Sequence, residues 1–239
     1  ALDEYGDLPD LLPASLVSRY RLPPHSYSLR EIHFPSGLQQ LKQARRRMIY
    51  EELFILQTGL AIRRHRVSQG ARGFPCAEPG TLVGEFISSL PFKLTSAQRR
   101  AFREIAEDMR LSHPMNRLLQ GEVGSGKTLV ALLALLLTVE NGMQGALMVP
   151  TEVLAEQHHR NLSELLRDFE RPRLALLTSS TPEGERRRIL EEVGEGGLDV
   201  LVGTHALIQR DVDFHRLGLV IIDEQHRFGV RQRVLLQEK

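Results

Sequence analysis

The octapeptide GEVGSGKT (121–128) restricts this chain more than any other stretch. It satisfies G-x-x-x-x-G-K-[ST] and stands between a short apolar segment, NRLLQ (116–120), and a long apolar run (127–141) closed by Gly142. A strand, a glycine-rich turn and a helix in that order make a loop whose backbone N–H groups converge. The positive end of the helix dipole adds to them, which suits a polyphosphate. Gly121, Gly124 and Gly126 allow the turn, and Glu122, Val123 and Ser125 fill it. Lys127 is expected to reach the β/γ-phosphates, and Thr128 to ligate Mg²⁺.

Such a loop requires a parallel sheet around it, and the sequence after Leu90 has that rhythm. Beyond the loop helix come GALMVP (145–150), an amphipathic helix (152–168), RLALLT (173–178), a charged helix (182–193), LDVLVGT (198–204) and LGLVII (217–222). Apolar strands alternating with helices around that loop predict an α/β fold, a P-loop parallel sheet with helices on both faces. The last strand, Val220-Ile221-Ile222, delivers Asp223 and Glu224 at its C-terminal end, where open parallel sheets bind ligands. Two carboxylates there have separate tasks: Asp223 to hold Mg²⁺ and Glu224 to accept a proton from the attacking water.

The first 90 residues lack this alternation. Pro9, Pro13, Pro23, Pro24 and Pro35 divide the opening into short pieces, and Ser36 is placed to cap a helix running from about Leu38 to Arg66. Leu38, Leu41, Ile49, Leu53, Leu56 and Leu60 recur near helical spacing on one side of it, with Gly59 weakening its end. The expected division is a helical segment (1–67), a Gly/Pro-rich linker (68–90) and a nucleotide-binding domain (91–239).

Composition excludes several classes. With 41% apolar and 26% charged residues the chain reads as globular, and Cys76, the single cysteine, rules out a disulfide framework or a Cys-based zinc site. That usage fits a reducing cytoplasm. The longest apolar run, 129–139, is far shorter than a bilayer span. Net charge is only +1, yet residues 42–72 carry eight Lys/Arg against two acids, Glu51 and Glu52.

PFKLTSAQ (91–98), GEVGSGKT, VPTEVLAEQHH (149–159), GTHALIQ (203–209) and DEQHRFGVRQR (223–233) follow one another as in the first motor domain of superfamily 2 helicases. Within them the chain resembles the RecG family, bacterial ATP-dependent DNA helicases that remodel stalled forks and branch-migrate junctions. The segment 32–57 is similar to the piece joining that family's DNA-wedge domain to its motor. Members of the Mfd-like family of translocases share the motifs but usually have Glu where Gln225 stands and a bulky residue where Ser125 stands.

The resemblance implies adenine recognition by Gln98 with Thr95 and Phe92, and contacts to the DNA backbone from Pro150, Thr151, His158, Gly203, Thr204 and His205. It implies that Gln225 and His226 link the nucleotide site to a second motor domain and DNA. Ser179 stands where the family has Gly, and Glu122 where Asp is common. The partners implied are branched DNA and two further domains of the same protein, a wedge before Ala1 and a second motor domain with an arginine finger after Lys239. Without that finger the chain alone is expected to bind ATP weakly and not to hydrolyse it. Arg45 and Arg63, and likewise Arg46 and Arg64, lie 18 residues apart. On a helix each pair shares an azimuth about 27 Å apart along the axis, a stripe suited to DNA phosphates or simply to solvent. Two other readings stay open, an Mfd-like double-stranded DNA translocase and a nucleotide-gated module that never hydrolyses. No NKxD or LSGGQ-like string supports a GTPase or ABC protein.

Overall fold

A computed structural model describes residues 10–70 and 73–228, with the side chains of 64, 66–70 and 226 outside the description. The chain divides into two compact units, Ala1–Ala71 and Arg72–Lys239.

The first unit is helical: α1 (Ala14–Arg19), α2 (His25–His33) and the 33-residue α3 (Leu38–Gly70). Pro13 and Pro24 stand immediately before α1 and α2, where a fixed φ suits the chain entering a helix. Ser36 does not cap α3, because its hydroxyl and its N–H donate to the Glu31 carboxylate. The first turn of α3 closes instead from Leu41 N–H to the Gly37 carbonyl. Gly59 does not end the helix, which continues to Gly70.

The leucine stripe of α3 behaves differently from its periodicity. Ile49, Leu53, Leu56 and Leu60 are exposed, and among the described side chains of the helix those buried are Ala44, Arg47 and Glu51, on the face turned to α2. A helix with one close neighbour buries only the face that neighbour covers.

In the second unit, α4 (Thr81–Ser89), α5 (Ser96–Met109) and α6 (Lys127–Glu140) precede the sheet. The expected linker therefore splits. Residues 73–80 are irregular, but TLVGEFISS forms α4 and buries Val83 and Phe86, with α4 packed on α6. The expected strand at 116–120 is not formed, and among the described residues that extended segment pairs with no other strand. Leu119 packs on the core while Leu118 stays exposed.

Strands β1 (Gln144–Met148), β2 (Leu174–Leu177), β3 (Val200–Gly203) and β4 (Leu217–Ile222) form one parallel sheet in the order β2-β3-β1-β4. Between them run α7 (Glu152–Leu165) and α8 (Glu183–Gly194). Alternation along the strands sends Leu147 and Val202 to one face, packed with α4 to α7, and Ala146, Met148 and Leu201 to the other, packed with Ile189 and Val193 of α8. Both faces are covered, so the strands read as unbroken apolar runs. This is the parallel sheet covered on both faces that the alternation predicts, and the RecA-like P-loop architecture that the helicase resemblance implies. Gly203 has a separate reason to be glycine, since a Cβ there would collide with the Leu177 carbonyl of the neighbouring strand.

Candidate nucleotide site

The glycine-rich loop ends as its sequence requires. Gly124 (φ 81°) and Gly126 (φ 80°) occupy the left-handed region, and Gly126 immediately precedes α6. Lys127 folds its ammonium back inside the loop, Nζ donating to the Gly121 and Glu122 carbonyls at 2.9 Å each. At two positions of the cradle a Cβ would push a side chain aside. One on Gly121 would meet Ser125 Oγ at 2.7 Å, and one on Gly126 would strike the Gln98 amide. Val123 projects fully into solvent.

Thr95 and Gln98 form a reciprocal cap at the start of α5. Gln98 N–H donates to Thr95 Oγ1, and Thr95 N–H donates to Gln98 Oε1. The Gln98 amide also donates to the Ser125 carbonyl at 3.0 Å, tying α5 to the phosphate loop. The side chain expected to read adenine thus has both ends of its amide engaged, while Phe92 stands 53% exposed beside this turn in sequence.

At the end of β4, Asp223 N–H donates to the Met148 carbonyl of β1, which holds the residue at the sheet's rim. Its carboxylate takes one donor on each oxygen: Glu224 N–H on Oδ1 at 2.9 Å and His158 Nε2 on Oδ2 at 2.9 Å. Glu224 itself is exposed and left-handed (φ 51°, ψ 45°), a conformation that costs a non-glycine residue about 1–2 kcal/mol. Strain of this kind concentrates where a side chain must be aimed. Gln225 opens a short 3₁₀ turn and is exposed; the His226 side chain and residues 229–239 lie outside the described part.

A carboxylate and a hydroxyl, Asp223 and Thr128, are hard oxygen donors of the kind Mg²⁺ takes. Among the described residues no group of three or more His, Cys, Asp or Glu could hold a metal by itself.

The residues expected at the DNA backbone separate into two kinds. Thr151 is exposed and caps α7, accepting from Leu154 N–H, and Pro150 and His205 are half-buried and exposed respectively. Thr204 is instead 1% exposed with its Oγ1 unpaired, Gly203 is packed within the sheet, and His158 is turned to Asp223. On α3, Arg45, Arg46 and Arg63 are exposed, with Arg46 donating to the Tyr20 carbonyl at 3.1 Å. The Arg64 side chain is outside the description.

One link was invisible in the motifs. The hydroxyls and backbone N–H groups of Ser180 and Ser179 hold the carboxyl of Glu152, in the first turn of α7, below the usual range. Ser179, the residue that departs from the expected Gly, contributes a side-chain donor that Gly lacks. Cys76 is a buried core residue whose thiol is pushed up by burial.

Residues 95–238 match the family model described as DEAD/DEAH box helicase. The chain is 48% identical over 240 aligned positions to the ATP-dependent DNA helicase RecG of Bacillus subtilis (strain 168), covering all of this chain and 35% of that protein. It is 49% identical over 233 to the RecG of Thermotoga maritima, covering 97% and 30%. In three dimensions it is similar to a RecG bound to a three-way DNA junction, with a TM-score of 0.83, 48% identity, and 93% of this chain and 30% of that one covered. The UvsW helicase of bacteriophage T4 shares the fold at a TM-score of 0.52 and 17% identity, covering 74% and 64%. The chain spans about a third of the length of the RecG proteins it matches.

Proposed function

Since this chain belongs to the DEAD/DEAH box helicase family, we propose that it is the nucleotide-binding part of an ATP-dependent DNA helicase acting on branched DNA such as stalled forks and Holliday junctions. The single observation that carries this reading is a glycine-rich loop at the start of α6, a helix packed on the parallel sheet, together with an Asp-Glu pair at the end of β4, in a chain 48% identical to a RecG solved on a three-way junction. No described helix is long and apolar enough to cross a membrane. A cytoplasmic location suits an enzyme of DNA.

The roles follow from the groups present. Backbone N–H groups of 121–126 and the α6 N-terminus bind the ATP phosphates, and Lys127 exchanges its two loop carbonyls for the β/γ-phosphate oxygens. Thr128 and Asp223 hold Mg²⁺. The ion, when bound, offsets charge on the phosphates and orients them. Glu224, exposed at the strand end, accepts the proton of the attacking water. Gln98, Thr95 and Phe92 take adenine, for which the Gln98 amide must release a present partner. Gln225 and His226 pass the state of the nucleotide to a second motor domain and DNA. Pro150, Thr151 and His205 face the DNA backbone, with Arg45, Arg46, Arg63 and Arg64 as a separate phosphate-binding stripe.

Division of labour between Lys127 and Glu224 is testable in the complete protein carrying this chain. Glu224→Gln keeps Mg-ATP affinity and lowers DNA-stimulated turnover by about 10²- to 10⁴-fold, the usual contribution of a general base. Lys127→Ala weakens ATP binding as well, since its interaction with phosphate exists before the reaction. Equal loss of affinity in both variants, measured by calorimetry, contradicts these roles.

A further inference from the structure

Helix α7 buries Ala155 and Leu162, and His158 lies between them on the same side of the helix. A leucine at 158 would pack there with no polar atom to satisfy. The imidazole instead leaves Nδ1 buried and unpartnered, which costs stability because a polar group is taken out of water with nothing to bond. What it obtains in return is one hydrogen bond: Nε2 lies 2.9 Å from Asp223 Oδ2. A carboxylate only accepts, so Nε2 carries the hydrogen and donates. The neighbouring His159 shows that the position matters. Also half-buried, and with its pKa lowered by desolvation, it lines a groove with Glu156 and Leu176 at the edge of the sheet, not the nucleotide site.

We propose that His158 is a positioning residue for the carboxylate of Asp223, fixing its rotation so that it meets Mg²⁺ correctly, and that this is its role in place of DNA contact. With Glu224 N–H on Oδ1 and His158 on Oδ2, each oxygen keeps a lone pair for the ion or its water, and the carboxylate plane cannot turn without breaking a hydrogen bond. The donor belongs to α7, the helix capped by Thr151, so the metal ligand is tied to an element entering from the VPTE motif. Partners that orient metal ligands in this way contribute about 10- to 100-fold to metal affinity. The inference rests on Asp223 being the Mg²⁺ ligand.

The experiment titrates a fluorescent ADP analogue into the complete protein at a series of Mg²⁺ concentrations, and again with Mg²⁺ chelated. Wild type, His158→Ala, His158→Asn and His158→Gln are compared, with circular dichroism confirming that each is folded. His158→Ala lowers the apparent Mg²⁺ affinity of the nucleotide complex by about tenfold or more. His158→Asn, whose amide is too short to reach, does the same and serves if the alanine variant does not fold. His158→Gln restores much of it, because its amide nitrogen takes the place of Nε2. Nucleotide affinity without Mg²⁺ stays as in wild type for all three. If that Mg²⁺-free affinity falls in parallel, or if Ala and Asn match wild type throughout, the positioning role is overturned. If wild type itself shows no Mg²⁺-dependent nucleotide binding, the reading of Asp223 fails, and the positioning role with it.

Discussion

Helix α6 in the second unit buries ten of its residues, from Leu129 to Val139, all apolar except Thr138. Helix α3 in the first unit is more than twice as long, yet among its described side chains it buries only Ala44, Arg47 and Glu51. Arg47 is fully buried and pairs with Glu51 at 2.8 Å and with Asp10, while His25 Nδ1 reaches the same Glu51 at 3.1 Å. One unit is held by leucine packed between a sheet and several helices, the other by a desolvated ionic cluster that joins α3 to α2 and to the segment at Asp10. The difference lies in the number of neighbours. A helix covered on all sides loses water everywhere and needs apolar residues everywhere. A helix covered on one side can place a charge cluster there, provided the partners satisfy one another.

The largest test of this contrast removes the centre of the ionic cluster. Arg47→Ala leaves the Glu51 and Asp10 carboxylates without their cation and destabilises the first unit by about 3–5 kcal/mol, the range for breaking a buried pair. Denaturant unfolding followed by far-UV circular dichroism reads it. A loss under about 1 kcal/mol, the surface-pair range, would mean that the cluster is no more than a surface network.

Leu136→Ala in α6 opens a cavity at a side chain with no exposure and costs about 2–5 kcal/mol. Leu56→Ala in α3, at a side chain 55% exposed, changes stability by no more than about 0.5 kcal/mol. The pair measures the same residue type in the two units. Equal losses would show that the leucine stripe of α3 is covered in solution.

The smallest effect concerns what the first unit contributes to DNA binding. Replacing exposed Arg45 and Arg63 by Ala flattens the dependence of log affinity on log salt by about one unit for each phosphate that an arginine no longer neutralises. An unchanged slope assigns the stripe to solvent and leaves DNA binding to the second unit and whatever adjoins it.

Much of the second unit was legible from residue order. GEVGSGKT needs a turn with left-handed glycines before a helix, and Gly124 and Gly126 adopt it. The apolar runs at 145–150, 173–178, 198–204 and 217–222 are strands, because a sheet covered on both faces tolerates little else. NRLLQ misled, since five residues of strand composition become a strand only when another strand is hydrogen-bonded alongside. The linker reading misled in another way: Gly and Pro are dense in 73–80, while Leu82, Val83, Phe86 and Ile87 beyond them have helical spacing and a face of α6 to cover.

Residue type and spacing by themselves determined the sheet class, the glycine-rich turn before α6 and the placing of Asp223 and Glu224 at a strand end, because each depends on a local backbone geometry that few sequences permit. Tertiary structure alone decided which face of α3 is buried, that Gln98 spends its amide on Ser125, that Ser179 serves Glu152, and that His158 and not His159 meets Asp223. Each of these depends on which surfaces two distant segments present to one another. A hydrogen bond across 65 residues leaves no period in the chain that makes it.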